Sequence, residues 1–344
     1  MAYKYLFFND YSEGAHPRIL ETLCNTNLVQ EPGYGEDSIC LEAARLIKEK
    51  IRSREADVHF VTCGTQANLI ALASMLKPYE SIIAVASAHI NVHEAGAVEA
   101  TGHKIHGVKG LDGKITPGAT RDIVAQHIDE HMVKPKVVFI SHATEIGTTY
   151  GKRELEAISE TCKELNLYLY LDGARLGSAL ASSEADIALS DLPKFVDMFY
   201  IGGTKNGAFL GEAIVIVNPE LKRDFRFYLK QRGALPAKGR VLGAQFVELF
   251  KDDLFLELAR HANSLAEKLS KGIRDRGYGF LTPSSTNQIF PILPNVVIDR
   301  LKEEFGFYVW SKIDEANSAV RLVTSWATTE ESVGEFLENL ERMS

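Results

Sequence analysis

The sequence predicts an α/β protein with a mostly parallel sheet flanked by helices, followed by a smaller α+β domain. The first observation is a series of short apolar or β-branched runs between residues 58 and 217. The second is that helical patterns, such as the one at 154–165, separate several of these runs. Apolar strands that alternate with helices are typical of a parallel sheet covered on both faces. The third observation is a change to long helical patterns after about residue 240.

The larger predicted domain spans residues 1–240 and contains the strand-like runs. They lie at 58–61, 82–86, 136–140, 167–171, 198–201 and 213–217. Ligands of such sheets bind at the carboxyl ends of the strands. The residues that follow each run are therefore the candidates for a functional site.

The smaller predicted domain spans residues 241–344. Its elements are helices at 240–250, 253–276, 295–305 and 330–342 and a strand at 320–324. No internal repeat or low-complexity linker separates the two parts of the sequence, so we expect the domains to pack closely.

Composition restricts the class of protein. With 344 residues, of which 45% are hydrophobic and 24% charged, the chain has the composition of a globular protein with a large core. A net charge of -8 argues against nucleic-acid binding. Apolar runs stay below the roughly 18 residues of a membrane span, and the one near the N-terminus is too short for a signal peptide. The 4 widely spaced cysteines predict neither a disulfide framework nor a zinc site. Cysteines that remain reduced thiols favour a cytoplasmic location for the protein.

Lys205 is the first candidate for a functional residue. It follows the apolar run 198–201 and lies between glycines and other small residues. A lysine held at a strand end among apolar neighbours has a lowered pKa, and a Schiff-base lysine requires such a free amine. The alternative is an ordinary polar lysine in a loop.

Gly64 and Thr65 form the turn between the run 58–61 and an apolar helix. Free backbone N–H groups and the helix dipole make such a turn suitable for binding phosphate. Most strand-to-helix turns of this kind bind nothing.

Asp172 and Arg175 follow the run 167–171. A carboxylate buried at this strand end requires a charged partner. The protonated ring nitrogen of pyridoxal 5'-phosphate (PLP) is one such partner, and the proton makes that ring an electron sink. The alternative is an ion pair between Asp172 and Arg175, and Arg175 is also a candidate for binding substrate.

His89 follows the run 82–86. An imidazole at this place can stack on a flat ring or transfer protons near neutral pH. His89 and His93 have a metal-like i,i+4 spacing, but the glutamate of the zincin motif does not follow His89, so we predict no metal site. A helix-capping or core role for His89 is the alternative.

These residues belong to motifs that occur in order along nearly the whole chain. The motifs are Asn9-Asp10, Tyr34-Gly35-Glu36-Asp37, Gly64-Thr65-Gln66-Ala67-Asn68, His89 with Glu94-Ala95-Gly96, Asp172-Gly173-Ala174-Arg175, Thr204-Lys205 and Val320-Arg321-Leu322-Val323-Thr324. With them the chain resembles the L-threonine aldolases of the β-eliminating lyase group. These are PLP enzymes with the aspartate-aminotransferase-like fold, also called fold type I.

The resemblance implies a role for each matched cofactor residue. Lys205 would form the Schiff base with PLP, and Asp172 would pair with the pyridine nitrogen. Gly64, Thr65 and Thr204 would hold the phosphate.

The resemblance also implies how substrate is bound. Arg175 and Arg321 would hold the substrate carboxylate, since a guanidinium suits this forked contact. Asn9 would help them, at a position where the family commonly has serine. Tyr34 would reach the active site of a neighbouring subunit, which implies a homodimer or homotetramer.

His89 would stack on the cofactor ring, and we favour it, or a water that it holds, as the catalytic base. Glu145 is the second candidate, because a carboxylate in an apolar cleft has a raised pKa. It stands where many family members have histidine, with His142 three residues earlier. Ser325 replaces a second family histidine.

The implied activity is cleavage of L-threonine, L-allo-threonine or a related β-hydroxy-α-amino acid to glycine and an aldehyde. The alternatives are another PLP-dependent amino-acid lyase or aminotransferase, or a PLP-binding protein without turnover. A nicotinamide oxidoreductase is disfavoured, because no G-x-G-x-x-G follows an early strand.

Overall fold

The computed structural model describes residues 3–342 of the chain. The strands are β1 Tyr5–Leu6, β2 Asp57–Val61, β3 Glu80–Val85, β4 Ile105–Val108, β5 Lys134–Ser141, β6 Tyr168–Asp172, β7 Met198–Gly202, β8 Glu212–Ile216, β9 Gln288–Ile289, β10 Ile292–Pro294, β11 Phe305–Gly306, β12 Tyr308–Lys312 and β13 Asn317–Val323. The α-helices are α1 Pro17–Thr26, α2 Ser38–Lys50, α3 Gly64–Met75, α4 His89–Val92, α5 Pro117–Gln126, α6 Lys152–Glu164, α7 Leu176–Leu180, α8 Phe225–Gln231, α9 Arg240–Lys251, α10 Leu254–Asp275, α11 Asn295–Leu301 and α12 Glu330–Glu341.

The main sheet is 7-stranded and has the order β2-β8-β7-β6-β5-β3-β4. Only β8 is antiparallel to its neighbours, β2 and β7, whereas the other neighbouring strands are parallel. This arrangement confirms the predicted α/β fold with a mostly parallel sheet. The apolar runs did not predict β4, because its sequence Ile105-His-Gly-Val108 buries only alternate residues.

Helices cover this sheet, and α3 shows why a helix in this position lacks a polar face. Its buried residues include Ala67, Ile70, Ala71 and Leu72, which lie on several sides of the helix. A helix that is apolar all round is stable only inside a core. The helix is therefore held by burial, with its first turn at the sheet edge where β2 ends.

A second sheet is 4-stranded and antiparallel, with the order β10-β13-β12 and with β9 also paired to β13. Separately, β1 pairs in parallel with β11, so that Tyr5 lies opposite Phe305. The N-terminal segment is therefore joined to the C-terminal part of the chain, which gives a small core that includes Phe7, Phe305 and Phe336.

The long helix α10 contributes to both cores. Its first turns place Leu254 and Leu258 in the large core, and its later turns place Leu269 and Ile273 in the small core. The predicted division of the chain at residue 240 stays a prediction.

The carboxyl ends of β2, β3, β5, β6 and β7 meet at one edge of the main sheet, because these strands run in the same direction. The antiparallel β8 begins at this edge. Among residues 3–342, no helix has the length and apolar composition needed to cross a membrane.

Candidate active site

A cleft lies at this edge of the main sheet. One part has a volume of about 320 Å³, and its lining includes Gly64, Thr65, His89, Glu145, Asp172, Arg175, Thr204 and Lys205. A second part of about 450 Å³ adds Arg321. Because His89, Glu145, Arg175 and Lys205 line both parts, the two form one continuous space. The fold thus brings together most of the predicted site residues.

Lys205 is half-buried in a turn that follows β7. The backbone N–H groups of Gly203 and Thr204 donate to the Gly211 carbonyl at 3.0 and 3.2 Å, which closes the turn. A Cβ on Gly203 would lie 2.7 Å from that oxygen, so the turn requires glycine there. Burial lowers the pKa of Lys205 and the Arg175 cation lowers it further, against the opposing effect of nearby carboxylates. The lowered pKa makes the free amine more accessible than it is for an exposed lysine.

Asp172 is buried and held by neutral donors. Its Oδ1 accepts from the Tyr200 hydroxyl at 2.6 Å and the Ala174 N–H at 2.9 Å, and its Oδ2 accepts from Asn68 Nδ2 at 2.9 Å. No cationic side chain among residues 3–342 forms an ion pair with it. The alternative ion pair between Asp172 and Arg175 is therefore wrong, since Arg175 pairs with Asp10.

A hydrogen-bond chain connects Asp172 with His89. Asn68 Nδ2 donates also to Glu94 Oε1 at 2.8 Å, and the same oxygen lies 2.8 Å from His89 Nδ1. The Glu94 side chain is fully buried, whereas that of His89 is 39% exposed. Because a carboxylate accepts, His89 Nδ1 carries the proton, which leaves Nε2 free to act as a base.

Glu145 lies beside His89. Its Oε1 accepts from the Ser141 hydroxyl at 2.7 Å and the His89 backbone N–H at 3.0 Å. Its Oε2 is buried without a hydrogen-bond partner in the described part of the chain. Burial raises the pKa of Glu145 despite the hydrogen bonds that lower it.

The two arginines of the cleft have different partners. Arg175 donates from Nε and Nη2 to the two oxygens of Asp10, at 2.7 and 3.0 Å. Burial lowers the pKa of Arg175, but the charge of Asp10 outweighs this effect and raises it overall. Arg321 instead donates to the amide oxygen of Gln288, at 3.2 Å from Nε and 2.7 Å from Nη2.

The turn at Gly64 has the features of a phosphate-binding helix start. Helix α3 begins there after an extended Cys63, and no side chain of residues 3–342 caps it. A Cβ on Gly64 would lie 3.0 Å from the Tyr200 hydroxyl, so a larger residue would crowd this turn. Uncapped N–H groups at a helix start attract an anion.

These observations test whether PLP fits the cleft. The uncapped helix start suits a phosphate, and the buried Asp172 lacks the cation that a protonated ring nitrogen would supply. Lys205 opens onto the same space with a lowered pKa. The residues present therefore fit the cofactor.

Asn9 and Tyr34 do not line this cleft in the single chain. Asn9 Oδ1 accepts from the Tyr11 N–H at 2.9 Å and the Ser12 hydroxyl at 3.1 Å, so its side chain caps a local turn. Tyr34 is 46% exposed, packs under Lys230 and lines a separate cavity.

His142, which lies three residues before Glu145, and Ser325 are buried and also lie outside the cleft lining. His142 Nδ1 accepts from the Tyr150 N–H at 3.3 Å, and the Ser325 hydroxyl donates to Glu13 at 3.1 Å. Burial lowers the pKa of His142 to about 4, which makes this imidazole neutral.

Sequence patterns assigned no role to four residues that the fold brings to the site, namely Asn68, Glu94, Tyr200 and Glu212. Glu212 Oε2 accepts from the Gly203 N–H at 2.9 Å, and burial raises the pKa of Glu212 to about 7. The sequence signal for Glu212 was a single acidic residue directly before the apolar run that becomes β8. A carboxylate buried there is costly, which points to a functional role.

Comparisons with known proteins agree with this geometry. Residues 17–294 match the Beta-eliminating lyase family. The chain is 36% identical to a low specificity L-threonine aldolase of Pseudomonas aeruginosa, over 97% of this chain and 96% of the relative. It is 26% identical to the low specificity L-threonine aldolase of Escherichia coli strain K12, over 88% of each chain.

Solved structures extend the agreement to the fold. A threonine aldolase structure from Leishmania major has a TM-score of 0.97 and 48% identity, covering 98% of this chain and 99% of that one. Aspartate aminotransferase from Thermus thermophilus, at 18% identity, has a TM-score of 0.73 over 99% of this chain and 92% of that one, a likeness of fold alone. The chain therefore belongs to the beta-eliminating lyase family, within its group of L-threonine aldolases.

Proposed function

We propose that this protein is a PLP-dependent aldolase that cleaves L-threonine, L-allo-threonine or a related β-hydroxy-α-amino acid to glycine and an aldehyde. The observation that carries the proposal is that Lys205, with its lowered pKa, shares one cavity with Asp172, a buried carboxylate without a cationic partner in the described residues. The threonine aldolase relatives favour this reaction over another lyase reaction, transamination or binding without turnover.

The residues that would hold PLP surround this cavity. Lys205 would hold its aldehyde carbon, and Asp172 would accept a hydrogen bond from its ring nitrogen. Gly64 and Thr65, at the start of α3, and Thr204 would bind its phosphate. His89 would lie against its ring. Bound PLP supplies an electron sink for the electrons of the bond that breaks at the substrate Cα.

The substrate residues would fix which bond breaks. Arg321 and Arg175 would bind the carboxylate, which orients the Cα–Cβ bond for cleavage. We favour His89, or a water held by it, as the base that takes the β-hydroxyl proton, with Glu145 as the second candidate. The aldehyde would then leave, and a proton equivalent to the one taken from the hydroxyl would be delivered to Cα, so that glycine is released.

We further propose a homodimer or homotetramer in which Tyr34 of one subunit serves the cleft of its neighbour. The exposed position of Tyr34, outside the cleft of its own chain, supports this proposal. A cytoplasmic location is also proposed, on the ground of the reduced cysteines.

The test is an absorption spectrum of the purified protein with PLP, followed by assays of acetaldehyde and glycine after adding L-threonine. We expect a cofactor band that Lys205→Ala abolishes, and acetaldehyde formed in step with glycine. A band without acetaldehyde would exclude the aldolase activity on L-threonine while retaining the cofactor. No band even with excess PLP would overturn the whole proposal.

A further inference from the structure

The two arginines of the cleft differ in whether a carboxylate offsets their charge. Asp10 is buried and forms two hydrogen bonds to Arg175, so that this pair is close to neutral as a unit. Arg321 forms no ion pair with any acidic side chain of residues 3–342. The uncompensated positive charge of the cleft beside Lys205 therefore belongs mainly to Arg321.

Arg321 is a partly buried cation without an acidic partner in the described residues. It lies on β13 opposite Tyr308 of β12, and the Trp310 ring lies 5.7 Å from its guanidinium carbon. Burial, together with the nearby Arg175 cation, lowers the pKa of Arg321 to about 10, although the charge of Asp10 acts in the opposite direction. A partly buried guanidinium without an acidic partner is stabilised when an anion binds it.

Gln288 is the side chain that orients this guanidinium. It lies on β9 opposite Val323, and since Arg321 is two residues from Val323, the two side chains are diagonal neighbours on one face. Both donors from Arg321 reach the same Gln288 oxygen. A guanidinium only donates hydrogen bonds, so the amide oxygen must face it and the orientation of the amide is fixed.

Packing alone does not explain Gln288. The residue is 0% exposed, and its Nε2 has no hydrogen-bond partner within the described range. A buried amide with one end unpaired is unfavourable, so an apolar residue of the same size would suit the core better. The contact with Arg321 is what this amide contributes.

We propose that Gln288 is a positioning residue that fixes Arg321 for the substrate carboxylate without neutralising its charge. The inference rests on the proposed function, because it assumes an amino-acid substrate at this end of the cleft. A carboxylate at position 288 would hold the guanidinium more strongly but cancel its charge, as Asp10 does for Arg175. A carboxamide orients the guanidinium of Arg321 and leaves its positive charge available to the substrate carboxylate.

The test compares wild type, Gln288→Met and Gln288→Glu, each loaded with PLP. The ligands are glycine and methylamine, which share an amine and differ in the carboxylate. Dissociation constants are measured from the change in cofactor absorption. We expect Gln288→Met to raise the dissociation constant of glycine roughly tenfold, the effect of losing one hydrogen bond to a charged group. The dissociation constant of methylamine should stay nearly unchanged. Gln288→Glu should raise the dissociation constant of glycine roughly 100-fold, because the new carboxylate then lies near the carboxylate of glycine and repels it.

A second background shows whether Gln288 acts through Arg321. In Arg321→Met, adding Gln288→Met should change glycine binding little, since the residue to be positioned is gone. Gln245→Met is the matched control, because Gln245 is also fully buried and bonds elsewhere, to the Phe209 and Leu210 N–H groups. It should leave the ratio of glycine to methylamine affinity unchanged.

Three results would overturn the inference. The first is that Gln288→Glu binds glycine as tightly as wild type does. The second is that Gln288→Met weakens the binding of glycine and of methylamine equally. The third is that Gln288→Met weakens glycine binding as much in the Arg321→Met background as in wild type. The aldolase proposal fails on a different result, namely a wild type that releases no acetaldehyde from L-threonine. The affinity ratio reports only on the carboxylate site.

Discussion

His89 and Glu145 are the side chains of the cleft best placed to take a proton from a substrate hydroxyl. Glu94 occupies His89 Nδ1, so the other ring nitrogen is available. Glu145 already uses one oxygen for Ser141 and the His89 N–H. Its raised pKa makes it a stronger base when ionised but reduces the ionised fraction at a given pH.

We predict that His89→Phe lowers kcat for L-threonine cleavage about 100-fold or more, because it removes the base and keeps a flat ring. Glu145→Gln should lower kcat less than about tenfold, since the amide oxygen still accepts from Ser141 and His89. The measurement is kcat at saturating PLP for both variants. The reverse order of the two effects would identify Glu145 as the base.

Glu212 is the buried carboxyl whose ionisation is most clearly opposed by its surroundings. Its raised pKa of about 7 means that the folded protein favours the protonated form relative to the unfolded chain. The stability that this preference gives is complete below the ordinary glutamate pKa. It is lost as the pH rises through about 7.

We predict that Glu212→Gln becomes more stable relative to wild type as the pH rises from 5 to 8. The expected relative gain is on the order of 2–3 kcal/mol, because the variant has no carboxyl to ionise. Urea unfolding of both proteins without added PLP measures it. A stability difference that is the same at both pH values would contradict the predicted shift.

At the scale of elements, helices α2 and α9 approach each other closely at one glycine. A Cβ on Gly243 of α9 would lie 2.8 Å from the Cα and 2.9 Å from the backbone nitrogen of Cys40 in α2. These atoms belong to the helix backbone and cannot move aside singly. The close approach of the two helices therefore depends on the missing side chain.

We predict that Gly243→Ala lowers the free energy of unfolding by about 1–3 kcal/mol, because the methyl group forces the helices apart. Gly334→Ala is the matched control, since Gly334 lies inside α12 and, apart from its chain neighbours and the backbone of its own helix, no described atom would come within 4 Å of its Cβ. It should raise the free energy of unfolding by about 0.5–1 kcal/mol. Equal effects of the two variants in denaturant unfolding would contradict this account.

At the scale of the whole molecule, the cleft of one chain lacks Tyr34. This residue lies on an exposed loop beside α8, where Arg226 donates to its carbonyl, and not beside Lys205. An exposed aromatic loop of this kind is suited to an interface between subunits. The proposed oligomer would then complete each cleft with a residue of the neighbouring chain.

We predict that co-expressed Lys205→Ala and Tyr34→Ala chains recover activity that neither variant has alone. Only mixed pairs contain a cleft with both residues intact, so random pairing restores about a quarter of wild-type activity. Acetaldehyde release from the purified mixture measures it. Activity no higher than the average of the two variants would place Tyr34 in the cleft of its own chain, or give it no role.

Apolar patterning predicted most strands of the main sheet and the residues that follow them. Apolar runs predicted the strand that ends at Asp172 and the strand that precedes Lys205, because a buried parallel strand is apolar on both faces. The carboxyl ends of parallel strands lie at one edge of the sheet, so the polar side chains that follow the runs were expected to lie close together. The short strand β4 escaped prediction because its burial alternates.

The hydrogen-bond and ion-pair partners of these residues follow from the folded packing. Asp10 pairs with Arg175 although 165 positions separate them, and Gln288 orients Arg321 through the pairing of β9 with β13. Strand register and helix packing make such contacts, and no local periodicity in the sequence records them. Sequence patterns thus predicted most of the groups that line the cleft, whereas packing added Glu212 and Gln288 and left Arg321 without an acidic partner in the described residues.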